Sequence, residues 1–141
     1  MTSTGPTLQF GNHSQQRSRL FLPGLAAAAT AAIAVTAVAA IAMAVGVDFE
    51  LPDGGESIPL LGFTQLTFTL GVVGILLALA IRRWASEPAR IWVRTAVALT
   101  ALSLVPPFLV RADLATACTL VLAHLIAAAI VIPFVARRLA I

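Results

Sequence analysis

The chain contains no lysine. Among its 141 residues there is one cysteine, there are two histidines, and only 11% are charged. A soluble domain of this size carries about 25% charged residues, so a conventional solvated surface is excluded. With Cys118 alone, no disulfide can close within the chain, and cysteine usage carries no information about redox compartment. The histidines, the cysteine and the carboxylates show no zinc spacing. There is also no P-loop, dinucleotide fingerprint or nucleophile elbow. No metal or cofactor is therefore expected, no catalytic residue is assigned, and the sequence does not favour an enzyme. The net charge of +3 and the pI near 11.1 would suggest nucleic acid for a soluble protein. No basic stripe with interleaved aromatics supports that, so nucleic acid is not an expected partner. Missing lysine together with abundant alanine points to a GC-rich bacterial genome.

What is present is apolar sequence: 60% of residues are hydrophobic and the mean hydropathy is +0.99. Four apolar runs cover 22–47, 60–81, 91–110 and 114–136. A bilayer core needs about 20 apolar residues per helix, and each run meets that length. The expected fold is all-α: a transmembrane four-helix bundle, antiparallel with short loops, occupying 21–141. Residues 1–20 are polar and are expected to form a disordered cytoplasmic tail. The first run is longer than the roughly 7–15-residue core of a signal peptide and reads as a retained helix.

All nine basic residues are arginines, and they punctuate the runs. Arg17 and Arg19 precede the first; Arg82, Arg83 and Arg90 separate the second from the third; Arg137 and Arg138 follow the fourth. Arg94 lies one turn inside the third run and can snorkel to its surface. Only Arg111 falls on the other side. The positive-inside rule makes these residues topology anchors and predicts a multi-pass protein of the inner (cytoplasmic) membrane with both termini in the cytoplasm. Membrane lipids are expected partners.

The acidic stretch 48–59 carries the turn signal Pro52-Asp53-Gly54-Gly55, compatible with a hairpin, an ordered cap or an irregular loop. Pro88 suits the first turn of the third helix, with Ser86 or Glu87 at its cap. Trp84 and Trp92 are expected at a headgroup boundary. Arg111 and Asp113 are expected to form a local surface pair. Small residues recur every four positions at Ala28, Ala32, Thr36, Ala40 and Ala44; at Thr67, Gly71, Gly74 and Ala78 in the second helix with one shorter step; and at Ala115, Thr119, Ala123 and Ala127. Such stripes let membrane helices approach closely, and Cys118 reads as one more small packing residue.

Depth arithmetic sorts the polar residues within the runs. At 1.5 Å per residue, His124 lies about 15 Å deep, with Ser103 and Thr69 at a similar level. Gln65 is one turn from Thr69. Gln65, Thr69, Ser103 and His124 thus define a candidate polar pocket in the outer half, if their helix faces converge. Pro106 and Pro107 should break the third helix there and free the carbonyls of Leu102 and Ser103.

Several stretches together carry a family resemblance: GVDFELPDGGESIPLLGFTQLT, GVVGILLALAIRRWASEPARIWV, LTALSLVPPF and LVLAHLIAAAIVIPFVARRL. Across residues 22–140 the chain resembles the four-helix membrane proteins catalogued as domain of unknown function 6069, found in GC-rich bacteria. Ser103 through Pro107, and His124 followed by Pro133, are its most specific pieces. The resemblance implies four membrane helices and no catalytic residues. The small-residue stripes point to a structural or accessory membrane protein that packs against a membrane protein partner or as a homo-oligomer; the alternative, from His124, Ser103 and the broken third helix, is a small-molecule or lipid binder, transporter or membrane enzyme using an outer-half pocket around His124.

Overall fold

The computed structural model describes residues 12–50, 57–109 and 113–141. They form α1 (Asn12–Ala44), α2 (Leu60–Trp84), α3 (Pro88–Ser103), a single turn α4 (Pro106–Leu109) and α5 (Leu114–Leu139). Four segments are long and apolar enough to cross a bilayer: Leu20–Ala44, Leu60–Trp84, Pro88–Leu109 and Leu114–Leu139. The fold is an all-α four-helix membrane bundle.

Helix boundaries follow local chemistry. Residues 12–20, which the sequence suggests as part of an irregular tail, are helical. Once the apolar helix is nucleated, adding residues such as Gln15, Gln16, Arg17 and Arg19 costs little. The rest of that tail lies outside the described residues. At its other end α1 stops at Ala44, short of the expected 47. Gly46, with φ +98, takes the left-handed position that glycine adopts without penalty. Val47 N–H then donates to Ala42 O at 3.0 Å and Gly46 N–H to Met43 O at 3.1 Å, the paired bonds of a Schellman stop.

Beyond it, Phe49 also has a left-handed backbone, φ 53. Its ring is fully buried and meets Phe63 edge to face at 4.9 Å. Ile58 N–H donates to Phe49 O, and Glu50 pairs with Ser57 in an antiparallel bridge. The loop base is therefore hairpin-like, whereas 51–56 lie outside the described residues.

The third span breaks where its prolines predict. Neither Pro106 nor Pro107 can donate back to Leu102 or Ser103. Val105 N–H takes over Leu102 O at 3.2 Å, so one of the two expected free carbonyls is re-satisfied by a tighter turn.

α1 packs chiefly on α2 and α5, and α3 chiefly on α5. Contacts that climb along α1 through Gly24, Ala28 and Thr36 descend along α2 through Ile75, Gly71 and Thr64. Two apolar clusters result. One joins Leu20, Ala78, Trp92, Ala96, Val135 and Leu139 at the arginine-bearing end. The other joins Val35, Ala39, Ala42, Phe49, Phe63 and Ala123 at the opposite end. In α1, 39% of the most apolar stretch is buried, against 11 to 17% in the other spans. The uncovered faces of α2, α3 and α5 are rich in leucine and valine, as expected for surface in contact with lipid.

Candidate functional site

The polar groups inside the spans divide by what they bond. Ser103 Oγ donates to Thr100 O at 2.7 Å, and His124 Nδ1 lies 2.8 Å from Leu120 O. A carbonyl only accepts, so in this contact Nδ1 carries the ring proton. Thr30, Thr100 and Thr119 likewise donate to carbonyls four residues back. Ser103 and His124 are half-buried, whereas Gln65 and Thr69 are uncovered on one face of α2. No hydrogen bond joins these four among the described residues.

A side-chain to side-chain hydrogen bond between helices is made instead by Thr36 and Thr64, at 2.6 Å. Thr36 spends its single proton on Ala32 O at 2.7 Å. Thr64 must therefore be the donor between the helices. The sequence places Thr36 on a small-residue stripe, but nothing there marks Thr64 as its partner, because the rotation of α2 is not a local property.

Trp84 is 81% exposed, whereas Trp92 is 3% exposed and its Nε1 donates to Ile132 O at 3.1 Å. The expectation that both indoles sit at a headgroup boundary is corrected for Trp92, whose ring fills the cluster between helices. Cys118 is uncovered and not a packing residue, because it falls on the outward side of α5.

At the arginine-bearing end, Glu87 is the N-terminal flanking residue of α3 but does not cap it. Its carboxylate accepts from Arg90 at 2.8 Å, an exposed pair worth little. Arg138 lies 5.4 Å from the Phe134 ring centre.

At the opposite end, Asp113 caps α5, accepting from the amides of Ala115 at 3.0 Å and Thr116 at 3.2 Å. Its expected partner Arg111 lies outside the described residues. The Thr116 hydroxyl is fully buried beside this carboxylate. That hydroxyl, and then the two amides, hold the Asp113 carboxyl below its ordinary value of 3.8. A carboxyl whose folded pKa is depressed stabilises the fold fully above its unfolded pKa, and that contribution disappears as pH falls through the folded value. Acid titration of thermal melts in detergent should show this decline in the native protein, and Asp113→Ala should remove that part of the pH dependence. Identical pH profiles would show that the cap carries no linkage.

Four long apolar helices, packed through small residues and with their remaining faces uncovered, define a multi-pass membrane protein. The family described as a family of unknown function (DUF6069) matches residues 15–141, and the chain belongs to it. No curated protein and no solved structure matches.

Proposed function

We propose that the chain is an accessory protein of the cytoplasmic membrane, with both termini in the cytoplasm, that pairs with a second copy of itself through the outer face of α2. Gln65 and Thr69 carry this reading. They stand one turn apart, uncovered, within a membrane span, and make no hydrogen bond among the described residues. Polar groups facing hydrocarbon are costly unless another helix satisfies them. A primary amide both donates and accepts, so Gln65 can pair with its symmetry mate across a two-fold axis. Val73 continues the same face and is also uncovered. The small-residue stripes do not contribute to this surface: Ala28 and Gly71 are used against each other inside the bundle. Arginine placement supports the orientation.

Single-cysteine variants in a Cys118→Ser background test both parts. Val73→Cys should form a disulfide-linked dimer in oxidised native membranes. Adding Gln65→Ala should cut its yield about tenfold, the scale of an interhelical amide pair. Ser86→Cys should react with an impermeant maleimide only after the cytoplasmic face is opened. Monomer alone would end the pairing proposal, and labelling of Ser86→Cys in intact cells would reverse the orientation.

A further inference from the structure

Between the start of α3 and the end of α5 runs an open groove of about 540 Å³. Its α3 wall is Ala89, Val93 and the stems of Arg90 and Arg94; its α5 wall is Ala136, Ala140 and the stem of Arg137. The surface of the groove is almost wholly apolar although three arginines line it. Their methylene stems therefore form wall, and the guanidinium groups stand at the rim. One turn further in, the Trp92–Ile132 bond holds the two walls together.

The three charges are not equivalent. Arg90 is engaged by Glu87. Arg94 and Arg137 are exposed and form no ion pair among the described residues. Two uncommitted cations thus border a shallow, open apolar groove at the level where a span meets the headgroups. A soluble anion would use only the cations, and a neutral apolar molecule only the groove. An anionic amphiphile uses both, and basic grooves between membrane helices suit anionic headgroups.

We propose that this groove binds one anionic phospholipid, with its phosphate at Arg94 and Arg137 and an acyl chain along Ala89, Val93, Ala136 and Ala140. The occupant is a lipid and not free phosphate, because the groove wall is apolar. The site is independent of the α2 face.

Native mass spectrometry of the full chain in mild detergent, titrated with phosphatidylglycerol or phosphatidylcholine, tests this. One phosphatidylglycerol should bind in preference to phosphatidylcholine. Arg94→Gln with Arg137→Gln should weaken it about thirtyfold, on the scale of two headgroup-level arginines. The charge-matched pair Arg83→Gln and Arg138→Gln, both exposed and outside the groove lining, should leave that adduct in place. Ala140→Phe keeps every charge, fills the open end and should also displace the lipid, which guards against a double variant that fails to insert. Equal losses in both arginine pairs, unchanged binding in Ala140→Phe, or full competition by inorganic phosphate would each overturn the proposal.

Discussion

Gly71→Ala destabilises the bundle by about 1–3 kcal/mol, the range for overpacking a tight contact, whereas Gly74→Ala, three residues along the same helix, is neutral or mildly stabilising. A methyl at Gly71 would lie 2.7 Å from Ala28 Cβ and 3.4 Å from its Cα. Alanine has no rotamer with which to yield, so relief requires α1 and α2 to separate. That separation also strains the Thr64–Thr36 hydrogen bond two turns away. At Gly74 the nearest atom is the Trp92 ring at 3.6 Å, an ordinary contact, and alanine is the better helix former. Reversible unfolding in mixed micelles, followed by circular dichroism, measures both. The contact also predicts its own suppressor. Ala28→Gly removes the opposing methyl, so Ala28→Gly with Gly71→Ala should recover most of the loss. Additive damage in the double variant would show that Gly71 matters for a reason other than this approach.

Trp92→Ala should cost about 2–3 kcal/mol from the cavity alone, with loss of α3 docking as the visible symptom. The indole is buried against residues from α1, α2 and α5: Leu20, Ala78, Val135 and Leu139. Because lipid is as apolar as these side chains, transfer free energy adds little here, and packing dominates. Trp92→Phe keeps most of the ring and loses the bond to Ile132 O, which should cost about 0.6–1 kcal/mol. The same unfolding assay, with proteolysis of the turn between α2 and α3 as a local probe, separates the two. If Phe proves as damaging as Ala, the hydrogen bond outweighs the packing.

The spans and the arginine pattern were legible in the sequence because length, apolarity and terminal charge are local properties. Contacts between helices were not. Every-fourth spacing drifts by about 40° per step around a helix of 3.6 residues per turn. Ala28 and Ala32 are therefore buried, whereas Ala44, on the same stripe, is uncovered. The face that α1 buries instead runs through Gly24, Ala28, Ala31, Val35, Ala39 and Ala42, a mixture of steps of three and four that keeps pace with 3.6 residues per turn. The polar residues show the same limit. Depth arithmetic orders Gln65, Thr69, Ser103 and His124 along the membrane normal but carries no information about rotation, and rotation turns Gln65 and Thr69 outward. Gly46 was a readable stop that the apolar run obscured. Trp84 and Trp92 look alike in sequence, yet a hydrogen-bond partner on α5 separates them.

The uneven packing of the bundle has a consequence for how the protein is made. Of the four described spans, α1 is synthesised before the others and has the largest share of its surface to cover. α2 follows and covers part of it through Gly71 and Thr64. α3 comes next and finds only limited contact with what is already there, since its principal neighbour is α5. Before α5 is present, α3 has Trp92 against Leu20 and Ala78 but lacks most of its packing surface. Until Leu114 and the residues after it are made, α3 lacks its principal neighbour, and α5 is the helix that packs against both α1 and α3.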